Sequence, residues 1–491
     1  HKATFLAAIP CGTQGWYASR IDPEPITPGL AWRFFTGQEI GRIAREQLGT
    51  GPMMPRAPEE MAVAATTRAM SEAANRLIYE CTFVSGGFVA RADALRRNAG
   101  GWDIIEVKSG KAPEEKVTKK GVQEGAPKEE YLQDLAYTVF VAKASGISLG
   151  RCILMLISRD FQYGNGADIL VEVDVTQAVM ALAETFATMS VEVAAAINAV
   201  ERPEPVLKFA CRDCSYFELQ CIGKDIPDPL FDLPRLSEKR FDAIKSHVRI
   251  SALPAGLDLT PSQQRVVAVL QGGRPIEARE GLETLDELEW PAHYLDFESV
   301  SPALPWFEGS GPYDAIPFQF SLHVRATPSH PLTHREYLAP IGRDWRRELV
   351  ETLLPALGTV GSVLMYSSYE KRMFSYLADS FPDLREQIEA VILRLFDLEA
   401  VVKDGYCHPG FRGRTSIKFV LPAMVKDLAY EGLTIRGGDD AAGAFALMYV
   451  NQTKSDRHDG ERAALLAYCK LDTLAMVRVH EELAKIREKH R

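Results

Sequence analysis

A basic surplus is what this 491-residue chain most clearly lacks. Its 56 Lys and Arg stand against 66 Asp and Glu, a formal net charge of −10. Acid exceeds base on both sides of residue 225, with 24 basic against 28 acidic residues before it and 32 against 38 after it. Bulk charge therefore lends nothing to nucleic-acid binding, although it suits a protein that gathers carboxylates around metal ions. Long apolar runs are also missing, so the sequence predicts no membrane span. The opening "HKATFLAAIPCG" has neither the length nor the small-residue cleavage site of a signal peptide. Eight cysteines are too few for a disulfide scaffold. Cys81, Cys152, Cys407 and Cys469 stand singly in apolar surroundings and read as buried thiols. The expected compartment is the cytoplasm. No internal repeat is apparent.

What remains is ordinary globular composition, 46% hydrophobic and 25% charged, in a chain long enough for about three domains. Residues 31–48 and 63–77 pattern as helices. "YECTFVSGGFVARADALRRNAGGWDIIEVKSG" breaks β-type runs at Gly-Gly and Asn-Ala-Gly-Gly, which predicts an antiparallel meander. Residues 111–128 are charged and weakly patterned, as in an exposed loop. A helix follows with a glycine stop, then two strands and a long helix over 176–199. Residues 226–285, rich in proline and short helical pieces, read as a helical connector. From about 286 a second α/β pattern begins, with a strand candidate at 362–366. The expected division is 1–225, 226–285 and 286–491.

Three cysteines crowd into "CRDCSYFELQC": Cys211, Cys214 and Cys221, spaced C-x2-C-x6-C. Thiolates this close in a reducing compartment suit a soft metal. A closed site needs a fourth ligand, and Cys11 in "PCGTQGWY" is the candidate. Four thiolates fit zinc or a [4Fe–4S] cluster. Either would staple the N-terminal segment to the end of its domain.

"RADALRRNAGGWDIIEVKSGK" places Asp93 on one strand and Glu106 and Lys108 on the next, both on one face by the two-residue period. Paired carboxylates hold Mg²⁺ or Mn²⁺ through oxygen, and a lysine beside them can orient the attacking water and offset phosphate charge. Charged residues alternate on many solvated strands; here the pair follows an apolar run. Gln133 and Tyr137 fall at i and i+4 on the next helix, and Glu80 sits on the preceding strand as a further metal-proximal carboxylate.

This order resembles the RecB/AddB-type PD-(D/E)xK nucleases, in the subgroup with an iron–sulfur clasp that includes CRISPR-associated exonucleases. In that subgroup one cysteine precedes the nuclease core and three follow it. The resemblance covers residues 1–225. It implies a restriction-endonuclease-like α/β domain with catalytic Asp93, Glu106, Lys108, Gln133 and Tyr137, and a [4Fe–4S] cluster on Cys11, Cys211, Cys214 and Cys221. The family often carries a metal-binding His on its first helix, and residues 31–48 contain none; either Glu39 or Glu46 substitutes for it or the site binds metal less tightly.

"HYLDFES" offers a second acidic pair, Asp296 and Glu298, on one strand face, and "LLAYCKLDTLAMVRVHEEL" sets Tyr468 and Asp472 one helical turn apart. Between them come Glu370, at a strand-to-helix junction, and Asp397. Such carboxylates build a two-metal site in which one ion activates water and the other stabilises the leaving oxygen. The order, over about 286–491, resembles the DnaQ-like exonucleases of the ribonuclease H-like fold, with D-x-E first and Y-x3-D last. The family's middle motif places Asp after an aromatic, whereas this chain has Tyr369-Glu370. The whole arrangement, with "PFQFSLHV" and "SIKFVLPAM", is similar to a bacterial family joining both kinds of domain. His323, on the first of these stretches, reads as a satisfied strand residue.

These resemblances imply a metal-dependent deoxyribonuclease, an exonuclease preferring single-stranded ends, with a helicase or another repair or defence protein as partner. The alternative is a catalytically lapsed nucleic-acid-binding or assembly protein on the same two folds. A redox-sensing role for the cysteine site is a third.

Overall fold

The computed structural model describes residues 1–22, 25–114, 116–118, 121–123, 125–430, 432–451 and 455–490. Each of the two carboxylate constellations lies on its own five-stranded mixed sheet, and the protein is an α/β protein built around them.

The first sheet runs in chain order: β1 (Leu77–Ser85), β2 (Phe88–Asn98), β3 (Gly101–Lys111), β4 (Leu149–Ile157) and β5 (Leu170–Asp174). Gly86 and Gly87, with φ of 57° and 81°, close the β1–β2 turn, as a two-residue hairpin demands. The meander is antiparallel, and β4 then pairs parallel to β3. Helices α1 (Lys2–Ala8), α2 (Gly12–Ala18), α5 (Glu129–Ala144) and α6 (Thr176–Asn198) gather on one face around Phe5, Tyr137, Phe140 and Phe186. On the other face lies α3 (Pro28–Leu48), seated by Ile40 and Ala44. It starts where Thr27 accepts from the Leu30 N–H at 3.3 Å with Pro28 in the first turn. Helix α4 (Glu59–Ser71) packs on β1, the edge strand, where the Thr66 hydroxyl accepts the Thr82 N–H at 3.0 Å. Where the sequence suggests an exposed loop at 111–128, Lys116–Thr118 and Gly121–Gln123 pair as a small hairpin.

By length and mean hydropathy, 1.4 over its apolar window, α6 could cross a membrane, which the sequence did not foreshadow. It packs one face, including Val179, Ala183 and Phe186, against α5 and turns Glu184 and Glu192 outward.

Short helices occupy much of 226–285, with Leu230, Phe241 and Ile250 forming a small core of their own. Ile276–Glu277 there pairs with Tyr406–Cys407.

The second sheet has the order β8-β7-β6-β9-β10, with β6 Ala292–Val300, β7 Ile316–Arg325, β8 Thr333–Leu338, β9 Val363–Met365 and β10 Leu395–Asp397. The first three are antiparallel; β9 and β10 run parallel to β6. Four helices matter below: α7 (Tyr369–Ser380), α8 (Ile417–Met424), α9 (Gly438–Val450) and the long α10 (Ser455–Glu488), which lies along β6 and β7. One face of the sheet buries Phe297, Trp345, Phe374 and Phe445, the other Tyr294, Leu421 and Val477.

Candidate metal centres

The alternation of β1 and β2 fails at one point, and that point is a carboxylate site. Pairing holds at Tyr79–Ala94 and Cys81–Ala92, but Glu80 between them has φ of 58°, an uncommon conformation for a side chain of this size. The irregularity turns Glu80 and Asp93 into one cavity of about 430 Å³ between the sheet and α3. An Asp93 carboxylate oxygen accepts the Val107 N–H at 2.7 Å. Burial first, then the Glu106 charge, lifts the Asp93 carboxyl to about 7.

Glu106 and Lys108 are adjacent along β3 as the period requires. Lys108 Nζ lies 3.0 Å from Glu106 Oε1 and also binds Asp134 of α5. Lys2 Nζ reaches the same two acids, at 3.3 Å and 3.0 Å. Burial alone would lower Lys108, but Glu106 and Asp134 outweigh it and hold the ammonium above its ordinary value. Asp134, against its own burial, is drawn down to about 2 by Lys108 and Lys2. The second Glu106 oxygen, Oε2, is buried without a hydrogen-bond partner, a vacancy in bonding that a cation would satisfy.

Three expectations for this region do not match the geometry. Gln133 turns to Glu129, donating at 2.9 Å, and away from the carboxylates. Tyr137 is fully buried in the core and donates to the Val89 carbonyl at 3.0 Å. One turn of helix separates them, yet the face of α5 that meets β3 is the one bearing Asp134. Glu39 and Glu46 both pair with Arg42 on the outer face of α3, so they do not replace the missing His. That helix lines the cavity with Gln38, Gly41 and Arg45 instead. Lys2 and Asp134 were missed because neither belongs to a spaced motif.

Cys11, Cys211, Cys214 and Cys221 line one small pocket. Cys11 is the N-cap of α2. The chain on both sides of Cys211 is knit to α2: Thr13 donates to Pro203 O (3.0 Å) and Trp16 to Ala199 O (2.9 Å) before it, and Tyr17 to Gln220 O (2.6 Å) after it. Burial and the neighbouring sulfurs push the Cys211 and Cys214 thiols up.

The C-terminal site gathers more acid. Asp296 and Glu298 on β6, Glu370 in the first turn of α7 and Asp472 on α10 line a cavity of about 620 Å³. The charged residues that line it otherwise are Glu399 and, on α8, Lys418, which is the one cation among the described lining residues. Asp296, Glu298 and Cys469 bring their ligand atoms within 4.8 Å of one another and form a group that could hold a metal ion; Cys469 Sγ is 3.3 Å from Asp296 Oδ2. Burial, then mutual repulsion, pushes Asp296, Glu298 and Glu370 well above the usual carboxylate range. Burial lifts Asp472 to about 6, against hydrogen bonds from Tyr430 and Tyr468. Glu370 Oε2 is buried and without a hydrogen-bond partner. Tyr468 thus lies in the cavity as expected, but its hydroxyl is spent on Asp472. Asp397 does not reach the cavity: it caps the helix starting at Leu398, accepting from Glu399 and Ala400 N–H. His323 is a satisfied residue on β7, bonded to Thr473 Oγ1 at 2.8 Å. Tyr430 and Lys418 were not singled out from the sequence, and Cys469, which neighbours Tyr468 on the same helix, was read there only as a buried thiol.

Residues 293–416 match the family model of a domain of unknown function (DUF2779). The match takes in Asp296, Glu298 and Glu370 and stops short of Tyr468 and Asp472. No curated protein matches the chain.

Proposed function

We propose that the protein is a metal-dependent nuclease that hydrolyses phosphodiester bonds of DNA, acting from single-stranded ends. The observation that carries this reading is the convergence of Asp296, Glu298, Glu370 and Asp472 in one cavity with a single lysine among its described lining residues. Four largely buried carboxylates repel one another unless cations stand between them. Carboxylate oxygens are the ligands that Mg²⁺ or Mn²⁺ takes, and such ions would activate a water and stabilise the leaving oxygen. In support of a ribonuclease H-like, DnaQ-related assignment, three antiparallel strands are followed by two parallel to the first. The acidic pair sits on that first strand, and an acid and a tyrosine sit on the last long helix. Around bound ions, Asp296, Glu298 and Asp472 would serve as ligands. Lys418 would meet phosphate charge, and Tyr430 and Tyr468 would hold the Asp472 carboxylate in place.

The meander with Asp93, Glu106 and Lys108, and the four cysteines around one pocket, support a PD-(D/E)xK domain with a [4Fe–4S] clasp. Four thiolates suit a [4Fe–4S] cluster, with zinc as the alternative. This first site is more neutralised than the second, because Lys2 and Lys108 both bind Glu106. That favours a division in which the C-terminal site cuts and the N-terminal site grips the strand.

End-labelled single- and double-stranded DNA, digested with Mg²⁺ or Mn²⁺, tests the reading. Asp296→Ala should lower the rate at least about 100-fold, the equivalent of several kcal/mol of lost charge stabilisation. Lys108→Ala should mainly weaken substrate binding. A wild-type protein that cleaves neither DNA nor RNA with any divalent ion contradicts the proposal and leaves the lapsed binding protein.

A further inference from the structure

The two carboxylate sites open onto a common groove. A third cavity, about 1030 Å³, lies between the two sheets. It shares Arg33 with the Asp93 cavity and Ser299 with the Asp296 cavity. β3 leads into it directly: Lys111 is five residues beyond Glu106, roughly 16 Å along the strand. On the other side, Ser299 directly follows Glu298 on β6.

Its walls differ in charge from the rest of the chain. Arg33, Lys111, Lys128 and Arg159 line it against two acids, Glu114 and Asp439, in a protein whose net charge is −10. Arg33, Lys128 and Arg159 are exposed. Arg33 shares its charge with Asp439 at 3.0 Å and Lys128 with Glu130 at 3.3 Å, all four side chains largely in solvent. Arg159 donates from Nε to the Ala112 carbonyl. Aromatic faces stand among the cations: Trp32, Tyr131 and Tyr313 all line the cavity, and Lys128 Nζ lies 5.3 Å from the Tyr131 ring centroid. Cations that track a backbone, interleaved with rings on which bases stack, are what a single strand requires.

Fixed contacts also join the two halves of the chain around the groove. The Tyr313 hydroxyl donates to the Ser109 carbonyl across it. The Tyr163 N–H donates to Ser310 O at 3.0 Å. Helix α3 packs against α9, where Gly29 N–H meets Asp440 Oδ1 at 3.2 Å.

We propose that this groove is the binding track for one single strand of nucleic acid, running from the Asp93–Glu106 site to the Asp296–Glu298 site. The proposal rests on the nuclease reading and adds to it that both sites address the same strand.

The test is fluorescence anisotropy of the full-length protein with a labelled oligodeoxythymidine of about 20 nucleotides, in Ca²⁺, across a salt series. Cleavage of the same oligonucleotide in Mn²⁺ is measured in parallel. Lys128→Ser/Arg159→Ser, two exposed positions, should weaken binding at least tenfold. It should also lower the slope of log affinity against log salt by about 1.4, since each single-strand phosphate contact contributes about 0.7. Tyr131→Leu keeps apolar bulk and should weaken binding roughly tenfold without changing the slope. Wild-type binding and cleavage with both variants indistinguishable from it would overturn the groove and leave the nuclease reading intact. A wild type that neither binds nor cleaves the oligonucleotide would overturn that reading, and the groove with it.

Discussion

A carboxylate that keeps its proton near neutral pH marks a place where charge has been concentrated faster than solvent can disperse it. Asp93, at about 7, and Asp472, at about 6, are two such groups. Both values lie above the ordinary carboxylate range, so the folded protein holds these protons more tightly than the unfolded chain does. The stability they contribute is fully present below about pH 4 and is lost as pH rises through 6 to 7. Metal-free protein should therefore melt at a lower temperature at about pH 8 than at about pH 5. Mg²⁺ should raise the melting temperature more at the higher pH, where the ligands are ionised; equal gains at both would speak against ions at these acids. Asp296→Asn removes one charge from the crowded C-terminal set at almost no change in shape. It should raise the melting temperature of the metal-free protein by roughly 2–4 °C while shrinking the gain that Mn²⁺ gives. A lower melting temperature without metal would mean that Asp296 is a structural acid.

At the scale of elements, what the sequence made legible was periodicity, and what it hid was the breaks in periodicity. The two-residue repeat of β3 sets Glu106 beside Lys108, and that of β6 sets Asp296 with Glu298, because nothing interrupts either strand there. The same rule fails for Glu80, whose positive φ swings it into the Asp93 cavity; no spacing announces a strained residue. On α5 the helical repeat correctly joins Gln133 to Tyr137 but says nothing about which stripe meets β3, and packing gives that role to Asp134. Lys2, Tyr430 and Lys418 reach the sites from segments far away along the chain, which only tertiary structure brings near. Helix packing also yields a prediction. A Cβ on Gly443 of α9 would lie 2.4 Å from the Pro28 carbonyl oxygen, whereas one on Gly37 of α3 would meet nothing within 4 Å. Gly443→Val should cost about 1–3 kcal/mol through overpacking, and Gly37→Ala should be neutral or stabilising by up to about 1 kcal/mol, both read from denaturant unfolding. The clasp gives another: Cys214→Ala should lose bound iron and lower the melting temperature of anaerobically purified protein. Stoichiometric zinc in colourless wild-type protein would refute the iron assignment while leaving the carboxylate sites untouched.

For the whole molecule, the sequence order of acidic motifs resolves into two sheets, each with its own acids, facing a shared groove. The change of texture near residue 286 was readable because a new α/β rhythm begins there. The groove was not, since its cations are scattered singly over α3, β3 and the loops and sum to nothing in an acidic chain. On the proposed reading, divalent ions complete the buried acids on both sheets. The most direct measurement is calorimetric titration of metal-free protein with Mn²⁺ at about pH 8, for wild type, Glu106→Gln, Asp296→Asn and the double variant. The account predicts saturable binding in the wild type, a distinct part of it lost in each single variant, and none left in the double. Wild-type protein that takes up no Mn²⁺ saturably, or the same binding in all four proteins, would contradict it.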